Sequence, residues 1–141
     1  MTGAGVERRL VNALDDCGYA CMRAPASGGG TDRDMPDVLA SQAGERPLAI
    51  ELKSTHSKNA YVEDHEDVAL ARFCENFGAE PALGYLFKQP GKRRQIWLCR
   101  PDDCRLTDSG HRALTRENAS DRAHTVVLPS TRHKDAEVRE L

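Results

Sequence analysis

Apolar and polar residues alternate along two short runs, 36–41 (Pro-Asp-Val-Leu-Ala-Ser) and 47–53 (Pro-Leu-Ala-Ile-Glu-Leu-Lys), with the period of a strand buried on one face. Between them Gln42-Ala-Gly-Glu-Arg46 reads as a hairpin loop. With the turn centred on Gly44, Asp37 falls opposite Glu51. Val38 and Ala40 then share a side with Leu48, Ile50 and Leu52, while Asp37, Glu51 and Lys53 occupy the other. The remaining chain alternates between helical and extended patterns. Residues 2–17 carry Val6, Leu10, Ala13, Leu14 and Cys17 on one helical stripe that stops at Gly18. Residues 19–23 predict a short strand, and 24–34 a loop with three successive glycines. A second helix is predicted over 62–77, with Val68, Ala71, Cys74 and Phe77 as its stripe and Gly78 as its end. Strands follow at 82–88 and 95–100, joined by Gln89-Pro-Gly-Lys-Arg-Arg94. Tyr85, Phe87 and Trp97 lie in these apolar runs and read as core or subunit interface rather than as base-stacking groups. From Pro101 the chain reads as irregular until 125–128, an expected edge strand; residues 129–141 read as a charged tail, disordered or weakly helical.

At 141 residues and 39% hydrophobic content, the chain fits one α/β domain, expected over 1–128, with a core that needs no disulfides. It contains no apolar stretch of membrane-spanning length, and its first residues lack a secretory signal, so a cytoplasmic location, with no membrane partner, is expected. Five cysteines with unpaired spacings read as reduced thiols, not a zinc site. A net charge of −2 does not suggest a polyanion ligand, so the distribution of charge matters more. Lys88, Lys92, Arg93 and Arg94 are a basic cluster suited to phosphate, with Lys58 in the polar segment after Lys53 a further candidate. Glu63-Asp-His-Glu-Asp67 is an acidic block expected on a face that repels DNA.

The hairpin carries the candidate chemistry. Like charges facing one another across roughly 5 Å of sheet destabilise it, and a cation between the two carboxylates relieves the strain. Magnesium suits such a site, because it takes oxygen ligands and keeps waters and substrate phosphates in its shell. The bland alternative is a strand-starting Asp37 and an exposed pair of Glu51 and Lys53. Glu7 lies at the inward edge of the first helix, beside Val11 and Leu14; it is either a site residue or a carboxylate favoured by the helix N-terminus.

Assembled in order, Glu7-Arg8, Arg23, Ser27-Gly28, Asp37-Val38-Leu39-Ala40, Glu51-Leu52-Lys53 and Asn76-Phe77-Gly78 resemble the archaeal Holliday junction resolvases, nucleases of the restriction-endonuclease-like superfamily. The resemblance covers residues 6–100 and implies a central mixed β-sheet flanked by helices. It implies Asp37 and Glu51 as magnesium ligands (manganese substituting), Glu7 as an accessory metal carboxylate and Lys53 as the group that positions water and stabilises charge. It also implies Arg8, Arg23 and Ser27 in contact with DNA or the scissile phosphate, branched DNA as substrate, and a homodimer. Other readings are a nickase, restriction or repair endonuclease of the same superfamily, and a catalytically silent DNA-binding module.

Overall fold

A computed structural model of the chain describes residues 3–25, 33–92, 94–128 and 136–140. The elements in order are α1 (Gly3–Asp16), β1 (Ala20–Arg23), β2 (Val38–Ser41), β3 (Leu48–Thr55), β4 (Asn59–Val62), α2 (Asp64–Phe77), β5 (Glu80–Phe87) and β6 (Ile96–Cys99). A 3-10 turn (Pro101–Asp103), β7 (Arg105–Leu106), β8 (Arg112–Thr115), α3 (Ala119–Arg122), β9 (Thr125–Leu128) and β10 (Glu137–Glu140) complete it. The main sheet runs β1-β2-β3-β5-β6-β9-β10, and a small second sheet runs β4-β8-β7. Among the described residues only β3 and β5 pair in parallel, α2 making the crossover between them, and every other pairing is antiparallel. The expected mixed sheet with flanking helices is thus present.

The main sheet is covered on both faces, which explains why its central strands read as apolar runs. On one side Val6, Leu10, Ala13 and Leu14 of α1 pack on Val38, Ala40, Ile50, Ala82, Leu86, Ile96, Leu98 and Val127. On the other, Leu70 and Cys74 of α2 and Ala60, Val62 and Leu114 of the second sheet cover Ala49, Leu83, Tyr85, Phe87 and Cys99. Tyr85 is fully enclosed and donates its hydroxyl to the Arg112 carbonyl at 2.9 Å, so its polar atom is satisfied.

The hairpin register is as expected: Val38 faces Ile50, Leu39 faces Ala49 and Ala40 faces Leu48, around Gly44 at φ 85°. The second helix lies differently. Its buried residues are Leu70 and Cys74, whereas Val68 and Phe77 are 51% and 54% exposed. The helix is rotated because polar residues at its start turn inward: Asp67 pairs with Arg112 at 3.0 Å and Glu66 with Lys53 at 2.7 Å. The segment after Pro101 is not irregular, since β7 and β8 pair with each other and β8 with β4. Nor is β9 an edge strand: β10, within the expected tail, pairs with it through Val138 and Val127. No described helix is long and apolar enough to cross a membrane.

Gly84 of β5 stands beside Leu52 of β3, and a Cβ built on it would lie 2.4 Å from one Leu52 methyl and 3.1 Å from one Leu98 methyl. Gly84→Val is therefore expected to destabilise the protein by about 2 kcal/mol, the usual cost of overpacking. Denaturant unfolding checks this; an unchanged midpoint would mean that the two leucines move aside freely.

Candidate active site

The carboxylates meet where β2 leaves β3. Asp37 immediately precedes β2, and its own N–H donates to the Ile50 carbonyl at 3.0 Å. Beyond it the β3 edge loses its main-chain partner, and the Asp37 carboxylate takes over: Oδ2 accepts from the Leu52 N–H at 2.8 Å. The same carboxylate also lies within hydrogen-bonding reach of Glu51. Extending the register by one residue puts Asp37 opposite Glu51, and strand alternation puts Glu51 and Lys53 together on the α2 side.

Both carboxyls of the pair are raised above their ordinary values. Burial, then the neighbouring Asp37 and Glu66 charges, push the Glu51 carboxyl up to about 9, against a smaller opposing effect of Lys53. Burial also raises Asp37, partly offset by the Leu52 N–H. A partly buried carboxylate pair of this kind either retains a proton or takes up a cation, so the donor set fits a hard divalent ion with oxygen ligands.

Glu7 of α1 is held by Arg23 at the end of β1, its Oε2 3.3 Å from Nε. Arg23 lies across from Val38 in the β1–β2 ladder, and the Ala24 N–H donates to the Asp37 carbonyl at 2.9 Å. The Glu7–Arg23 pair therefore borders Asp37 on its outer side. Arg8 is exposed on α1. Lys58 lies on the β3–β4 turn, with Lys92 and Arg94 on the β5–β6 connection. The start of that connection is tied to the end of β3 by the Lys88 N–H, which donates to the Thr55 carbonyl at 2.8 Å. Ser27 and Arg93 lie outside the described residues.

Sequence reasoning missed Glu66. It is the third residue of α2 and forms a capping box with Glu63, accepting the Glu63 N–H on Oε1 at 3.2 Å. Its other oxygen holds the Lys53 ammonium at 2.7 Å, and the two side chains are only 19% and 32% exposed. Burial acts to raise the Glu66 carboxyl, but the Lys53 hydrogen bond and charge outweigh it and hold the group below its ordinary value. The acidic block thus delivers one carboxylate into the site instead of forming a remote repelling face. Glu63, His65 and Glu66 also bring three potential ligand atoms within 4.8 Å of one another, the one such group among the described residues, although Glu63 and His65 are exposed.

Comparisons with known proteins agree with the fold. The family model described as archaeal Holliday junction resolvase (Hjc) matches residues 1–128. The chain is 34% identical to the crossover junction endodeoxyribonuclease Hjc of Sulfolobus acidocaldarius over 77% of this chain and 73% of that one. It is 35% identical to the enzyme of the same name from Sulfurisphaera tokodaii over 82% and 76% of the two chains. The structure superposes on Archaeoglobus fulgidus Hjc, a Holliday junction resolvase, with a TM-score of 0.67 at 26% identity, covering 80% of this chain and 86% of that one. A central mixed sheet, opposed carboxylates at the β2–β3 divergence and a family match across nearly the whole chain lead to one assignment: the chain belongs to the archaeal Holliday junction resolvase family.

Proposed function

We propose that the protein is a magnesium-dependent endodeoxyribonuclease that cuts paired strands of four-way DNA junctions as a homodimer inside the cell. The observation that carries this reading is the placement of Asp37 opposite Glu51, two partly buried carboxylates within hydrogen-bonding reach of one another. Asp37 and Glu51 would hold the ion, with manganese a workable substitute, and Glu7 would support it from the Asp37 side. When bound, such an ion supplies a hydroxide nucleophile near neutral pH and neutralises charge on the phosphate oxygens. Lys53 has three N–H donors and gives one to Glu66; the others are available to the attacking water and to the phosphate oxygens, where negative charge grows. Arg23 is anchored by Glu7 at the outer border of the site and presents a guanidinium to the DNA backbone, joined by Arg8. Lys58, Lys92 and Arg94 extend positive charge beyond the ends of β3 and β5. Such contacts read backbone and branched shape rather than sequence.

A dimer suits a substrate with two equivalent strands to cut, because a two-fold axis presents two equivalent sites. Support comes from an apolar hollow beside Arg23, lined by Met22, Pro25, Met35, Pro36, Leu39, Phe73 and Phe77. Met22 and Phe77 are more than half exposed, and Phe73 stacks on Phe77 at 5.1 Å. Large exposed apolar side chains grouped in this way mark interaction surfaces. Phe77→Glu is expected to raise the dimer dissociation constant by about a hundredfold or more, as loss of a central interface aromatic does. Sedimentation velocity at micromolar concentration checks it, and an unshifted dimer would move the interface elsewhere.

The substrate assignment is tested by offering the protein a synthetic four-way junction beside linear duplex, flap and nicked DNA of equal length. Selective cutting of the junction is expected. Equal cutting of all four would leave a nuclease of the same superfamily with another substrate.

A further inference from the structure

Lys53 has two neighbouring carboxylates to choose from, and the one that binds it is not Glu51 on its own strand. It is Glu66 on α2, at 2.7 Å. Glu66 is itself fixed, because its second oxygen accepts the Glu63 N–H at 3.2 Å in the capping box at the start of the helix. The carboxylate thus has one partner on the helix end and one on the lysine, and it also lies within hydrogen-bonding reach of Glu51. A lysine ends in a flexible four-carbon stem, and an ammonium that must face a reacting phosphate gains from being aimed beforehand. The partner that aims it should sit on a rigid element other than the lysine's own strand, and α2 is such an element. We infer that Glu66 is a positioning residue that holds the Lys53 ammonium in its working orientation through the N-terminal cap of α2. The inference rests on the reading of Lys53 as the charge-stabilising group of a nuclease; Glu66 acts through Lys53 and is assigned no contact with the substrate.

The geometry distinguishes this role from simple helix capping. Glu63→Ala removes the other half of the capping box and loosens the same helix end, yet leaves the Lys53–Glu66 pair in place. Glu66→Ala removes every contact of the Glu66 carboxylate, that with Glu51 included, and Glu66→Gln keeps a single acceptor oxygen for the Lys53 ammonium and the Glu63 N–H. Under single-turnover conditions, Glu66→Ala is expected to slow junction cleavage by about 30- to 100-fold, the scale of a misplaced reacting group, with junction affinity unchanged within about threefold. Glu66→Gln should recover part of that loss, and Glu63→Ala should cleave within about threefold of the native rate. Overall folding of each variant is checked by its melting temperature.

A second readout needs neither DNA nor metal. In nitrogen-15 spectra of the lysine side chains, the Lys53 ammonium should give a slowly exchanging signal in the native protein and in Glu63→Ala, and lose it in Glu66→Ala. Cleavage by Glu66→Ala at or above the native rate would overturn the inference. So would equal slowing in Glu63→Ala, or a Lys53 signal indifferent to Glu66. If the native protein cleaves no junction, the nuclease reading fails instead, while the ammonium signal still reports on the Lys53–Glu66 contact.

Discussion

Asp37→Asn is expected to lower junction cleavage by about a thousandfold or more, the scale of losing a group that stabilises transition-state charge together with its metal. Asparagine has the size of aspartate, and its carbonyl oxygen can still accept the Leu52 N–H that Asp37 Oδ2 accepts at 2.8 Å. The end of β2 therefore stays docked on β3, and the loss reflects charge rather than collapse. Junction binding should hold or tighten, because one negative charge facing a polyanion is gone. Single-turnover cleavage and a gel-shift titration, run side by side, check both halves. Parallel loss of binding and cleavage would instead make Asp37 a structural residue.

The second large effect is expected at Glu51. In the folded protein its carboxyl is raised from 4.5 to about 9, mainly by burial and then by Asp37 and Glu66. A carboxyl raised on folding binds its proton more tightly in the folded than in the unfolded chain. Its contribution is therefore fully present below the unfolded value and is lost as pH climbs through the window between the two. Without divalent cations, the native protein should lose stability from about pH 5 toward pH 9, and Glu51→Gln should lose less. The variant should be about as stable as the native chain at pH 5 and more stable by about 2 kcal/mol near pH 9, a rise of about 5 °C in melting temperature. Added magnesium should stabilise only the native protein, since an ion bound to the folded state alone shifts the melting temperature. Glu51→Gln should also be inactive. A variant with lower stability than the native chain at every pH would show that the Glu51 charge is welcome where it sits, contrary to a site built to receive a cation.

The parts of this protein that were legible in its sequence are those set by local rules. Strand alternation on either side of Gly44 fixed which residue faces which, and the opposition of Asp37 and Glu51 followed from counting. The α1 stripe was legible because Val6, Leu10, Ala13 and Leu14 are all nearly fully buried, and the one polar pairing of that helix described above, Glu7 with Arg23, lies at the edge of the stripe. In α2 the same count misled. Val68 and Phe77 look like core, but Asp67 and Glu66 have partners on other elements, Arg112 and Lys53, and those pairings set the rotation. Such a contact joins residues far apart in the chain and leaves no periodic signal. The capping box Glu63-x-x-Glu66 was the one local clue to Glu66, and it was hidden within a run of like charge. The second sheet was missed for a different reason: β4 and β8 have four residues each and β7 two, too few for alternation to stand out. Glu7 was singled out by its place at the inward edge of the first helix and by resemblance, and Arg23 by resemblance, but that they bind one another is a tertiary fact.

The central claim is that Asp37, Glu51 and Lys53 form a cation-dependent site that cuts branched DNA. It is tested most directly by single-turnover cleavage of a synthetic four-way junction, with each strand end-labelled in turn, in magnesium and in chelator. The expected result is a pair of nicks on opposing strands in magnesium and none in chelator. Cleavage that survives the chelator, or nicks scattered over all four strands and a linear duplex alike, would contradict it.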